Sequence, residues 1–202
     1  MNKETVLKVE DLKVEFKTED SIVNAVKNIS FEIRKGETVG IVGESGSGKS
    51  VTSLSVMGLI PKPHGKISNG SILFKGQDLT KVSDDDIRKI RGNDISMIFQ
   101  EPMTSLNPVY RCGDQVVEAI RIHQKMSKKE AIALTVELFE KVQLPDPQRI
   151  FKAYPHEISG GQKQRVMIAM AMSCNPEILI ADEPTTALDV TVQKTILDLM
   201  QQ

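Results

Sequence analysis

An α/β fold with a parallel central sheet, an N-terminal antiparallel β portion and an inserted helical segment is what the sequence predicts. Three observations carry that prediction. Alternating apolar residues mark early strands, and an apolar run then passes through a glycine turn directly into a helix. Further on, helical periodicity fills the region between Gln100 and Ile158 before a last apolar run, "EILIAD".

The elements follow in order. "LKVEF" sets Leu12, Val14 and Phe16 on one face of a strand, and "ISFEI" does the same with Ile29, Phe31 and Ile33. "TVGIV", residues 38–42, is continuously apolar, as expected of a strand buried on both faces. A glycine-rich turn follows, and "VTSLSVMGLI" is predicted as a helix that Pro61 ends. "SILF" and "ISMIF" add strands. In "SKKEAIALTVELFEKVQL", Ser127 and Glu130 form a capping box, and Ala131, Leu134, Leu138 and Val142 share one face. Pro145 and Pro147 are expected to stop that helix. "VTVQKTILDLMQQ" reads as a final amphipathic helix beginning after Asp189. The expected organisation is a core of residues 1–100 and 159–202 with a helical lobe at 101–158.

Composition narrows the function classes. The 202 residues carry 26 basic and 27 acidic side chains, a net charge of −1, so there is no global attraction to nucleic acid. No run approaches the roughly 20 apolar residues that cross a bilayer, and the N-terminal stretch lacks the apolar segment of a signal peptide. A cytosolic chain acting as a peripheral partner at a membrane is the expectation. The two cysteines, Cys112 and Cys174, lack CxxC spacing and read as unpaired thiols.

Chemistry concentrates in "GESGSGKS", Gly43 to Ser50, which fits G-x-x-x-x-G-K-[ST] between a predicted strand and a predicted helix. Gly43, Gly46 and Gly48 allow the backbone to curl so that successive N–H groups face inward, and the helix dipole points at the same spot. Lys49 supplies a mobile charge for β- and γ-phosphates, and the Ser50 hydroxyl is placed to ligate Mg2+. Gly43, Glu44, Ser45, Gly46, Ser47, Gly48, Lys49, Ser50 and Val51 are thus the candidate nucleotide-binding run of a P-loop NTPase. "ILIADE" delivers Asp182 to the C-terminal end of a strand, where ligands of open α/β sheets bind and where a carboxylate can hold Mg2+. Glu183 follows and could orient or deprotonate an attacking water. Gln100 closes the strand "ISMIF" at the start of the helical lobe. Its amide could touch both the metal and the water, or it could be an ordinary polar strand end.

A second glycine turn, "ISGGQ" at Ile158 to Gln162, precedes "ILIADEPTTALD". Together these resemble the signature motif and following strand of the ATP-binding cassette (ABC) family, with Ile158 where leucine is usual. The resemblance runs the length of the chain, in order: phosphate loop, glutamine hinge, helical lobe, signature, acidic strand end and "ALD" at Ala187 to Asp189. It implies an ATPase that uses ATP and Mg2+ and works as a head-to-tail pair, the phosphate loop of one chain facing the signature of the other. Ser159, Gly160, Gly161 and Gln162 would then meet a γ-phosphate held by the partner, with Asp189 along the same interface. Phe16 matches the aromatic that stacks on adenine, although it would serve equally as a core residue.

"FQEPMTSLNP" and "AYPHEISGGQKQRVMIAMAMSCNPEILIADEPTTALDVTVQ" look more narrowly like the ATPase subunits of bacterial dipeptide and oligopeptide importers, a group that includes nickel importers. The combination "RVMIAMAMSCNP" with "TTALD" resembles the first of their two paired ATPases. The implied partners are a second ABC ATPase subunit, two transmembrane permeases reached through the helical lobe, and an extracytoplasmic substrate-binding protein. The implied location is the cytoplasmic face of the inner membrane. None of His64, His123 and His156 stands where the family carries its switch histidine, about thirty residues beyond the acidic strand, and family members continue past residue 202. A C-terminally truncated chain is therefore expected. Two other readings stay open: a nucleotide-binding fragment without significant turnover, and a soluble cassette ATPase acting on nucleic acid or ribosomes.

Overall fold

The computed structural model describes residues 4–99, 105–184, 188 and 190–200. The chain forms two compact units, Met1–Ile87 and Arg88–Gln202.

The first unit is built on an antiparallel sheet of order β2-β1-β3-β4, from β1 (Thr5–Lys17), β2 (Ile22–Arg34), β3 (Gly65–Phe74) and β4 (Gln77–Asp78). The alternation in β1 does not run unbroken. Leu7 and Val9 are buried at odd positions, whereas Leu12 and Val14 are buried at even ones. The switch falls at Asp11, whose φ of 45° sits at a register shift against both neighbouring strands. One extra residue there turns the later side chains inward. Gly70 faces this bulge, and a Cβ on it would lie 2.3 Å from the Glu10 carbonyl oxygen. Only glycine fits that approach.

Helix α1 (Lys49–Val56) follows the phosphate loop and buries Thr52, Ser55 and Val56. It ends at Gly58, whose φ of 63° supplies the left-handed turn that closes a helix, and not at Pro61 as expected. The larger correction concerns residues 38–42. They carry no strand assignment, and Val39, Ile41 and Val42 are exposed, Val42 at 94%. An apolar run becomes a strand only by pairing its backbone groups, and among the described residues this one enters no ladder.

Short helix α2 (Asp84–Ile90) leads into the second unit. There β5 (Ile95–Ile98) and β6 (Ile178–Ala181) pair in parallel, Ile95 opposite Ile178 and Ile98 opposite Ala181. All of β5 is buried, as parallel strands require. Between the strands the described residues form α3 (Cys112–His123), α4 (Lys128–Lys141) and α5 (Pro147–Lys152), then a 3-10 turn at Pro155–Glu157 and α6 (Gly160–Met172). One apolar cluster joins these helices to the strand pair, with Ile98, Val116, Ile120, Phe139, Ile150, Val166 and Ile168 each fully buried. Helix α7 (Val190–Met200) adds Ile196 to that cluster.

The capping box of α4 is formed as expected: the Ser127 N–H donates to Glu130 Oε2 at 2.8 Å, and the Glu130 N–H to Ser127 Oγ at 3.3 Å. Its buried face is broader than the predicted stripe and includes Thr135, whose hydroxyl donates to the Ala131 carbonyl. The prolines do not stop this helix. Gln143 ends it in a left-handed conformation with φ of 56°, and Pro147 opens the next helix behind an Asp146 cap. Among the described residues no helix is long and apolar enough to cross a membrane.

Candidate active site

The phosphate loop lies in the first unit. The Ser47 N–H donates to the Glu44 carbonyl at 3.2 Å, closing a turn that brings the chain to Gly48, the N-cap of α1. Gly48 has φ of 95°, and a Cβ on it would stand 2.4 Å from the Ala25 carbonyl oxygen of β2. The loop can therefore swing into α1 beside that strand only with glycine here. Gly46 is also left-handed, φ 79°, but a Cβ there meets open space.

The Lys49 ammonium folds back over this loop and donates to the carbonyls of Gly43 at 2.6 Å and Glu44 at 2.9 Å. The charge is thus held at the loop by two neutral acceptors that a phosphate oxygen, being charged, would displace. No side chain caps the start of α1, and its first turn carries no acidic residue. Four hydroxyls lie along this helix, and the structure separates them: Ser53 is half-buried a turn beyond its start. Those of Thr52 and Ser55 are buried and donate to the carbonyls of Gly48 and Val51. Ser50, half-buried in the first turn, is the one left at the helix mouth.

The predicted signature turn, Asp182 and Glu183 lie in the second unit. Ser159 caps α6. Its N–H donates to Gln162 Oε1 at 3.0 Å, and its hydroxyl oxygen accepts from the Gln162 N–H at 3.3 Å. Because the hydroxyl accepts in that bond, its own proton stays available to a further acceptor. Arg165, one turn along, donates to the carbonyls of Gly161 and Gln143 and so ties the signature turn to the end of α4.

At the end of β6 the Asp182 N–H donates to the Ile98 carbonyl at 3.0 Å, extending the parallel ladder by one residue. Asp182 is half-buried, and the next residue, Glu183, is exposed with φ of 50°. The structure adds a residue that sequence reasoning missed. Gln164 of α6 is fully buried, and its amide Nε2 donates to the Pro184 carbonyl. A signal was present: Gln164 lies four residues before the buried Ile168, so a polar residue occupies a core position of the helix.

Within the first unit, then, Gly43, Glu44 and Lys49 come together; within the second, Ser159 meets Gln162, and Gln164 meets the turn after Asp182. Gln100 and Asp189 lie outside the described residues. Phe16 is half-buried at the end of β1, and a Cβ on its partner Gly65 would come 2.7 Å from the ring, so the ring packs against bare backbone. His156 is exposed and stacks on Tyr154, ring centroids 5.7 Å apart. Cys112 and Cys174 are both free and buried. Burial pushes the Cys112 thiol up to about 11 and raises Cys174 as well. Both shifts run away from the thiolate that a nucleophilic cysteine needs.

Comparison with known proteins gives a consistent set of relatives. The ABC transporter family profile matches residues 26–186. The oligopeptide transport ATP-binding protein AppD of Bacillus subtilis (strain 168) is 55% identical over 197 residues, 98% of this chain and 60% of the relative. The dipeptide transport ATP-binding protein DppD of the same organism is 55% identical over 199 residues, 98% of this chain and 59% of the relative. The chain thus spans about 60% of the length of these curated relatives. Among solved structures, the ATP-binding cassette MJ0796, dimeric and bound to ADP and Pi, superposes with a TM-score of 0.87 at 31% identity. That match covers 96% of this chain and 81% of the other.

Proposed function

This chain belongs to the ABC transporter family of ATPases, and from that premise we propose that the protein binds ATP with Mg2+, hydrolyses it, and so powers import of dipeptides or oligopeptides. The observation that carries the proposal is the phosphate loop, where Lys49 sits on the carbonyls of Gly43 and Glu44 beside the uncapped start of α1. The N–H groups of Lys49, Ser50 and Val51 are the ones that no intrahelical carbonyl takes up, so they and the ammonium converge on an anion. The peptide class is supported by the 55% identity to the two peptide transport proteins over nearly the whole chain.

The roles follow from the chemistry. Lys49 exchanges its two carbonyls for phosphate oxygens and stabilises the charge that spreads over the transferring phosphoryl group. Ser50, Gln100 and Asp182 would hold Mg2+, which when bound neutralises charge on the β- and γ-phosphates. Glu183, next to Asp182, orients the attacking water and takes its proton. Ser159, Gly160 and Gly161 present a hydroxyl and a helix start to the γ-phosphate of a nucleotide held by a second ATPase subunit. Phe16 stacks on the adenine, and Asp189 lies along the subunit interface. Residues 101–158 form the lobe that engages two transmembrane permeases, to which an extracytoplasmic binding protein delivers peptide. The protein then sits peripherally on the cytoplasmic face of the membrane. The net charge of −1 offers no attraction to nucleic acid.

Two substitutions test this. Glu183→Gln should leave ATP binding intact and abolish turnover; undiminished phosphate release would end the assignment of Glu183. Lys49→Ala should weaken ATP binding at least tenfold by equilibrium titration, and an unchanged affinity would remove the phosphate-loop reading.

A further inference from the structure

Glu183 is held in a conformation that its own sequence disfavours. A φ of 50° is left-handed, a region that crowds the Cβ of a non-glycine residue against its own backbone. Pro184 follows directly and narrows the backbone choices of the residue before it. Such a conformation persists only where the surroundings over-determine it. Two anchors are visible, one on each side. Upstream, the Asp182 N–H is locked to the Ile98 carbonyl at 3.0 Å. Downstream, the Pro184 carbonyl accepts from the Gln164 side-chain amide.

The second anchor is unusual in its placement. Gln164 is fully buried on α6, between residues that pack into the apolar cluster, and an amide in such a place is costly unless it is hydrogen-bonded. An aliphatic side chain of the same size would fill the space without that cost. What an aliphatic side chain could not do is hold the Pro184 carbonyl. We propose that Gln164 is a positioning residue: through the Pro184 carbonyl it fixes the left-handed turn that aims the Glu183 carboxylate at the attacking water. It also makes the signature helix and the Glu183 turn a single hydrogen-bonded piece, so a movement of α6 is passed to Glu183 directly. The inference rests on the proposed catalytic role of Glu183.

The test uses the full-length protein with Gln164→Leu and Gln164→Met, two apolar side chains of similar size and different pliancy, beside Glu183→Gln. Steady-state phosphate release gives kcat and KM, and equilibrium titration gives ATP affinity. Both Gln164 variants should lose roughly 10- to 100-fold in kcat, the scale of a misaimed catalytic group, with KM and ATP affinity within twofold of the parent. A residue that only fills the core would leave kcat unchanged in whichever variant folds. Turnover within twofold of the parent overturns the proposal, as does a parallel loss of ATP affinity or failure of both variants to fold, either of which assigns Gln164 to packing. Should Glu183→Gln itself keep full turnover, the reading of Glu183 falls, and that outcome is separate from any result at Gln164.

Discussion

Replacing Gly48 and Gly46 by alanine, one at a time, separates two costs that coincide in most glycine substitutions. Both residues are left-handed, so each alanine bears a backbone cost of about 1–2 kcal/mol. At Gly46 that is the whole effect, because the added methyl meets nothing within 4 Å. At Gly48 the methyl would stand 2.4 Å from the Ala25 carbonyl oxygen, whereas carbon and oxygen in contact sit about 3.3 Å apart. Ala25 lies within β2, between Asn24 and Val26, which pair with Glu15 and Val14 of β1. Ala25 itself stands at a register shift with no partner in β1, but the paired residues on either side limit how far its carbonyl can retreat, which adds about 1–3 kcal/mol of overpacking. Gly48→Ala should cost about 2–5 kcal/mol in all, against about 1–2 for Gly46→Ala. Thermal unfolding should resolve this, at about 2–4 °C per kcal/mol for a chain of this size. The shifted start of α1 should also weaken ATP binding more in the Gly48 variant. Equal stability of the two variants would refute the close approach of the loop to β2.

Three further predictions test separate parts of the fold. Burial pushes the Asp78 carboxyl up, but Lys81, the Thr80 hydroxyl and the N–H groups of Thr80 and Ile72 outweigh it and hold the group at about 2. Its folded value thus lies below the unfolded one of about 3.9, so its contribution is complete above pH 4 and disappears as pH falls towards 2. Because Lys81 is exposed, the contribution is discounted to about 1–2 kcal/mol. Asp78→Asn should lose that much in urea unfolding at pH 7 and match the parent near pH 2; an equal gap at both pH values would exclude the linkage. Ser127→Ala removes one half of the α4 capping box and should cost about 1 kcal/mol in the same measurement. Neither Cys112 nor Cys174 should react with a thiol reagent at pH 8 in the folded protein, and both should react at once in denaturant. A fast-reacting thiol in the folded protein would contradict their burial.

What the sequence could reveal depended on whether a feature was local. The Ser127–Glu130 box, the helix that follows the glycine loop and the apolar strand that leads into Asp182 each follow from contacts within a few residues, and each is present in the structure. Residues 38–42 have the composition of a buried strand, yet composition reports apolarity and says nothing of a backbone partner. The bulge at Asp11 was equally hidden, because its justification is Gly70, 59 positions away on β3. Helix ends failed for another reason. Pro61, Pro145 and Pro147 read as terminators, yet Gly58 and Gln143 turn the chain through left-handed conformations before any of them is reached. A proline bars a helix from running on through it, but it does not show where the helix has stopped.

The two glycine turns that carry the proposed chemistry solve the helix-start problem in opposite ways. At α1 the cap is a glycine with no side chain to offer, and the nearest charge is the Lys49 ammonium, resting on two carbonyls of its own loop. The ammonium and the first N–H groups of α1 are positive or donating, and the neutral carbonyls that hold the ammonium are weaker acceptors than a bound phosphate. At α6 the cap is complete: Ser159 and Gln162 satisfy each other, and Arg165 braces the turn from behind. That helix start is stable with nothing bound, yet it keeps the serine proton and the first N–H groups for an acceptor that arrives later. A loop organised around a resident anion and a turn that tolerates its absence are what a shared site requires when one side holds the nucleotide and the other is brought to it. The difference between the two caps, more than the presence of two glycine motifs, is the physical ground for giving them different halves of one reaction.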